Sequence, residues 1–219
     1  MRIHQNPAYA YIEKCYGPEN DQMLLSRKFA DQLGLSRISV SHTEAHLMGF
    51  LLSIIRPQSI VEIGTLTGLS CQYFIQSLQQ DGVVYSLEKS AEHLSLAKQA
   101  LHPWIMSGHC QLIEGDAREK LLTLQGPFDA IFIDGNKAAY GDYWNWAKVN
   151  IKSGGLVLID NVFLSGSVWA EEGQTTSGQK FSPKQIQVIQ NMTKSILADQ
   201  DFLSAFVPTE EGLLLAFRK

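Results

Sequence analysis

The chain of 219 residues is 45% hydrophobic and 18% charged, and 18 Lys and Arg against 22 Asp and Glu give it a formal charge of −4. That is the composition of an ordinary globular domain, and it lacks the basic block that a broad nucleic-acid-binding face requires. The longest apolar run, Leu47–Ile55, is interrupted by Gly49 and Ser53 and falls far short of the roughly 20 residues of a membrane span. The opening Met1-Arg2-Ile3-His4-Gln5-Asn6-Pro7 has no signal-peptide profile, so a cytoplasmic protein is expected. Cys15, Cys71 and Cys110 show no C-x-x-C spacing and are read as packed thiols.

Residues 6–56 carry apolar positions three and four apart, through Met23, Leu24, Phe29 and Leu33 and again through Leu47, Phe50, Leu51 and Ile54, and are read as helical. Thr43, followed by Glu44, is taken to start the second stretch and Pro57 to end it. Five β-rich runs follow, at Ser59–Ile63, Val83–Leu87, Cys110–Ile113, Phe128–Ile133 and Leu156–Ile159, separated by amphipathic stretches. This alternation predicts a parallel sheet built from βαβ crossovers. Phe202–Val207 and Leu213–Phe217 are joined by a connection too short for a helix and predict an antiparallel hairpin. The segment from Leu164 to Pro183 reads as a long functional loop. The expected fold is α/β: a Rossmann-like, doubly wound, seven-stranded and mostly parallel sheet with one antiparallel strand near the C-terminus. One domain is expected over residues 1–219, with a helical cover over 1–56 and the sheet from 57 to 219.

Ligands of such sheets bind at the carboxyl ends of the strands. There the sequence places Glu62 within strand one, Glu88 after strand two, Asp116 after strand three, Asp134 after strand four and Asp160 after strand five. The first loop, Gly64-Thr65-Leu66-Thr67-Gly68, has no G-x-G-x-x-G spacing and is poorly built for a pyrophosphate. Glu62 beside that loop suits a cationic ligand, and Glu88 lies where an acid accepts hydrogen bonds from ribose hydroxyls. A nucleoside carrying positive charge fits, and S-adenosylmethionine is one.

Val61-Glu62-Ile63-Gly64-Thr65, Phe128-Asp129-Ala130-Ile131-Phe132-Ile133-Asp134 with Lys137, and Gly154-Gly155 through Asp160-Asn161 together resemble the metal-dependent, S-adenosylmethionine-dependent O-methyltransferases of the caffeoyl-CoA and catechol type. The resemblance runs from about Ser39 to the C-terminus. It implies cofactor contacts at Val40, Glu62, Gly64, Thr65, Ser70, Glu88, Asp116, Ala117 and Asp134, and a divalent metal on Asp134, Asp160 and Asn161. Such oxygen-only ligands suit Mg²⁺ first, with Mn²⁺ or Ca²⁺ as alternatives to it, rather than Zn²⁺. Lys137 stands where the family has a lysine acting on the acceptor hydroxyl, a role as base that requires its pKa to fall well below about 10.4. The implied reaction moves a methyl group to a small phenolic or catechol-like acceptor, in a homodimer with no membrane or nucleic-acid partner.

The sequence departs from the family at Asn136, where a second carboxylate is usual, at Ser165, where the plant enzymes have an asparagine that meets the acceptor, and at Glu88, where aspartate is usual. A second reading is the related O-methylation of a hydroxylated uridine in transfer RNA, against which the charge of −4 counts. A third, a non-catalytic nucleoside-binding protein, is disfavoured by the intact Asp134, Lys137, Asp160 and Asn161. His42 and His46 lack the H-E-x-x-H order of a zinc site. Tyr140, Tyr143, Trp144 and Trp146 are read as core aromatics of the helix after strand four, and Trp169 as a wall of the acceptor pocket.

Overall fold

The computed structural model describes residues 7–169 and 181–219. The seven strands follow the order β3-β2-β1-β4-β5-β7-β6, and the chain divides into two compact units, one ending at Asp116 and one starting at Ala117.

The first unit opens with three helices, α1 (Pro7–Tyr16), α2 (Asp21–Gln32) and α3 (His42–Ile55). Asn20 caps α2 by accepting from the amides of Gln22 and Met23. Helix α3 starts at His42 rather than at Thr43, because Ser41 and Glu44 form a capping box. Ser41 Oγ accepts from the Glu44 amide at 3.1 Å while the Glu44 carboxylate accepts from the Ser41 amide. Two orphan N–H groups are thereby satisfied, which Thr43 cannot do with His46 three residues on. Strands β1 (Ser59–Ile63), β2 (Val83–Glu88) and β3 (Cys110–Glu114) alternate with α4 (Leu69–Ser77), α5 (Ala91–Ala100) and α6 (His102–Met106). β2 lies between β1 and β3 and is parallel to both, in a register that sets Glu62 beside Ser86. Cys71 and Cys110 are buried with sulfurs 3.8 Å apart. Cys15 is exposed, against expectation, because it lies on α1, which buries no residue completely.

The second unit begins with α7 (Ala117–Lys120), followed by β4 (Phe128–Ile133), α8 (Tyr140–Asn150) and β5 (Ile151–Ile159). It ends with α9 (Pro183–Ala198), β6 (Phe202–Val207) and β7 (Leu213–Arg218). All six residues of β4 are buried, as expected of a strand covered on both faces. β5 is parallel to β4 and antiparallel to β7, which pairs antiparallel with β6, so β7 is the reversed strand. β5 starts at Ile151, five residues before the expected Leu156. Its first half is hidden from sequence pattern by exposed Lys152, Ser153 and Gly154, where the pairing with β4 shifts register. Gly155 is needed at that shift, since a Cβ there would lie 2.7 Å from the Asp129 carbonyl. Tyr140, Tyr143 and Trp144 are buried as expected, and Trp144 meets the Phe202 ring edge-on. No helix of the described residues is long and apolar enough to cross a membrane. The long loop expected over Leu164 to Pro183 lies partly outside the described residues, at positions 170–180.

Candidate active site

In the first unit, the loop after β1 turns through three positive-φ residues, Gly64, Leu66 and Gly68. At Gly68, φ is +86° and a Cβ would lie 2.7 Å from Leu101 Cδ1, so only glycine allows both the turn and the close approach to Leu101. Glu62 is fully buried. Ser70 Oγ donates to its Oε1 at 2.5 Å, Ser86 Oγ donates to its Oε2, and Thr65 Oγ1 lies 2.6 Å from Ser86 Oγ. Burying a carboxylate is costly without such donors. Three predicted residues, Glu62, Thr65 and Ser70, are thus linked in one chain of hydrogen bonds with a fourth, Ser86, that sequence reading missed. The one signal was a hydroxyl interrupting the apolar run of β2.

Glu88 closes the loop from the other side. Its carboxylate accepts from the amide of Leu66 at 2.9 Å and from that of Ser90 at 2.8 Å, and a carboxylate has further lone-pair sites for ligand hydroxyls. Thr67 Oγ1, buried in the same loop, has no hydrogen-bond partner among the described residues. Ser26 of α2 donates to the Thr67 carbonyl at 2.8 Å and ties the helical segment to the loop. Val40 is buried, and its carbonyl accepts from Arg27 at 3.2 Å. Arg27 in turn is paired with Glu19, and Glu19 accepts from Tyr73 at 2.8 Å. Burial alone would raise the Glu19 pKa, but the Arg27 and Tyr73 hydrogen bonds and the Arg27 charge hold it below the ordinary 4.5. Asp116 is in an ion pair with Lys89 at 3.1 Å, the exposed kind that contributes little. Cys71 is kept a neutral thiol, its pKa pushed up by burial and then by Cys110 and Glu62. His42 and His46 approach to 2.9 Å between their Nε2 atoms, and His46 stacks on Tyr16.

In the second unit, Ala117 is the buried first residue of α7. Asp134 follows β4, and a short 3-10 turn over residues 137–139 returns Lys137 toward it. Asn136 caps that turn by accepting from the Ala138 amide at 3.1 Å, a structural role for the amide that stands where a carboxylate is usual. Lys137 Nζ donates to Asp134 Oδ1 at 2.7 Å, to the Tyr140 hydroxyl at 2.6 Å and to Asn161 Oδ1. Those three acceptors match the three N–H donors of an ammonium. The Tyr140 hydroxyl donates to the Asp160 carbonyl at 3.1 Å, and the Asn161 amide donates to Asp160 Oδ1 at 2.8 Å. The structure therefore brings together Asp134, Lys137, Asp160 and Asn161 and adds Tyr140, which sequence reading took for a core aromatic only. Its spacing of three residues from Lys137 and six from Asp134 was the available signal.

Among the described residues, no group of three His, Cys, Asp or Glu side chains is gathered to hold a metal. The expected set is different, two carboxylates and one amide. Asp134 and Asn161 already aim oxygens at one positive charge, the Lys137 ammonium, and oxygen donors of this kind suit a hard divalent cation. Asp134 and Asn161 therefore fit such an ion, while Asp160 Oδ1 accepts from the Asn161 amide. Trp169 is 63% exposed and stands edge-on to Phe163, with ring centroids 5.1 Å apart.

A family model described as O-methyltransferase matches residues 15–219. A catechol O-methyltransferase of Niastella koreensis is 31% identical over 165 residues, covering 74% of this chain and 75% of its own. A catechol O-methyltransferase of Mycobacterium tuberculosis is 28% identical over 163 residues, with 74% of each chain covered. In fold, the chain is similar to the crystal structure of an O-methyltransferase from Bacillus cereus in complex with SAH, with a TM-score of 0.87, 24% identity and 100% of both chains covered.

Proposed function

This chain belongs to the O-methyltransferase family, and on that premise we propose that it moves a methyl group from S-adenosylmethionine to a hydroxyl of a small phenolic or catechol-like acceptor, with a divalent metal. The observation that carries the acceptor side is the convergence of Asp134, Tyr140 and Asn161 on Lys137 Nζ. The catechol O-methyltransferases among its relatives support the acceptor class. Those relatives do not point to a nucleic-acid acceptor. Both units are taken as parts of one methyltransferase domain, since the family match spans them.

In the reaction the S–CH₃ bond breaks with its electron pair left on sulfur, an O–CH₃ bond forms, and the proton of the acceptor hydroxyl leaves to bulk water. Glu62, buried and held by two serine hydroxyls, presents a fixed negative charge to the donor's cationic end. Glu88 accepts from the ribose hydroxyls, and the turn of Gly64 and Thr65, with Val40, Ser70 and Asp116, contacts the rest of the nucleoside; Ala117, the buried first residue of α7, is a further contact. Asp134, Asp160 and Asn161 would hold the divalent ion, whose chemistry is to acidify and orient a hydroxyl. Lys137 Nζ stands beside the acceptor oxygen, where positive charge lowers the hydroxyl's pKa and favours the oxyanion that attacks the methyl group. Trp169 and Phe163 form an aromatic wall for the acceptor ring. A homodimer belongs to the same reading, supported by Phe50 and Ile54, which are 65% and 63% exposed one turn apart on α3.

The test is calorimetry with S-adenosylmethionine followed by turnover of a catechol panel with and without chelator. Donor binding and chelator-sensitive methylation of a catechol are expected. Absence of donor binding overturns the proposal, and activity indifferent to chelator removes the metal from it.

A further inference from the structure

The segment that follows β5 is held in an unfavourable shape from a distant point of the chain. Asn161, Leu164 and Ser165 have φ values of 61°, 46° and 52°, in the left-handed region that side chains other than glycine avoid. Such conformations persist only where the surroundings over-determine them. Here the surroundings are Glu211 and Gly212, in the turn between β6 and β7. The Glu211 carboxylate accepts from the Ser165 amide at 3.2 Å, and Ser165 Oγ lies 3.2 Å from each of its oxygens. The Glu211 carbonyl accepts from the Phe163 amide at 2.9 Å, and the Gly212 carbonyl from the Val162 amide at 3.1 Å. Gly212 has φ +77°, and a Cβ there would lie 2.4 Å from Phe163 Cγ, so the two segments are in close contact. Leu164 and Ser165 are buried; the Leu164 amide donates within the turn to the Asn161 carbonyl at 3.2 Å, and the Ser165 amide depends on Glu211.

The held segment starts at Asn161, whose Oδ1 accepts from Lys137 and whose amide donates to Asp160. We propose that Glu211 is a positioning residue for the acceptor side of the reaction, holding the 161–165 turn in its left-handed geometry so that Asn161 keeps its side-chain oxygen on Lys137. This rests on the reading that the Lys137 cluster receives the acceptor. It also gives Ser165 a partner: its hydroxyl is engaged by Glu211 rather than offered, like the plant asparagine, to the acceptor. Glu211 acts through the turn and contributes no chemistry of its own.

The test uses the full chain with Glu211→Ala and Glu211→Gln. Three readouts are taken: amide hydrogen exchange over residues 162–165, calorimetric binding of S-adenosylmethionine, and kcat and KM for methylation of a catechol acceptor. In E211A, exchange over 162–165 should rise about tenfold and kcat should fall about 10- to 100-fold, while donor affinity and the donor-binding fraction stay at wild-type values. E211Q should recover most of both, because an amide oxygen still accepts from the Ser165 N–H. Unchanged exchange in E211A, a kcat loss matched by loss of donor-binding protein, or no rescue by E211Q overturns the proposal. If the wild type binds donor yet methylates no acceptor, the functional reading fails. The acceptor role of Glu211 then falls with it, and the exchange data decide only its hold on the turn: faster exchange in E211A with rescue in E211Q sustains that hold and equal exchange ends it. Should E211A not fold, Ser165→Ala removes the hydroxyl contact only and is judged by the same readouts, with a smaller expected effect.

Discussion

Glu62 and Asp134 are both carboxylates at the strand ends, and their surroundings treat the charge in opposite ways. Glu62 is fully buried and is received by the hydroxyls of Ser70 and Ser86, neutral dipoles that stabilise an anion without cancelling it. Asp134 keeps 22% of its side chain exposed and meets the Lys137 ammonium at 2.7 Å. The first arrangement stores a fixed negative charge in a low-dielectric place and suits the binding of a cation. The second is balanced, and with Tyr140 and Asn161 on the same ammonium it suits an oxygen that passes from neutral to anionic during reaction. On the proposed function, the first region holds the donor and the second manages the acceptor's change of charge.

The sharpest way to break that contrast is at Lys137. Lys137→Met should lower kcat by about 10²–10⁴-fold, the usual worth of a group that handles a reacting proton or its charge, with calorimetric donor affinity unchanged. Turnover within tenfold of wild type would return Lys137 to a purely structural ion pair. The converse variant is Glu62→Gln, which keeps the shape and removes the charge. Donor affinity should weaken by about 10–100-fold, as for the loss of a charged hydrogen bond, while kcat at saturating donor changes little. If E62Q binds donor as well as wild type, the buried carboxylate is serving the fold rather than the ligand. Ser86→Ala should come next. It removes one of the donors to Glu62 and should cost about 1–3 kcal/mol of stability, read as a lower denaturant midpoint at constant slope. No change in midpoint would mean that Glu62 finds another donor.

Much of this was legible in the sequence where the signal is local. β1 and β4 are short apolar runs bounded by turn residues, and their observed limits equal the expected ones. Asp134, Lys137, Asp160 and Asn161 stand at strand ends, where topology converts position into proximity. What was hidden is what depends on register or on distant pairing. Ser86 acquires its role only because β2 sets it beside Glu62. The first half of β5 is masked by exposed polar and glycine residues at an irregular pairing. Glu211 lies 46 residues from Ser165, and no pattern in its own turn marks it as a partner.

The smallest expected effect lies away from both carboxylates and shows how far the helical segment tracks pH by itself. His46 of α3 stacks on Tyr16 of α1, meets Tyr73 of α4 edge-on, and places Nε2 2.9 Å from that of His42. Burial, then the charge of His42, push its pKa below the ordinary 6.5, and Glu19 opposes them. The unfolded chain therefore takes up a proton on this group at a higher pH than the folded one. Its stabilising contribution is complete above pH 6.5 and is lost as the pH falls from there to the depressed folded value. Thermal midpoints should accordingly decline between about pH 7 and pH 5. His46→Phe, which keeps a ring against Tyr16, should flatten that decline by a few degrees at most. Parallel pH profiles for H46F and wild type would show that His46 does not titrate with folding.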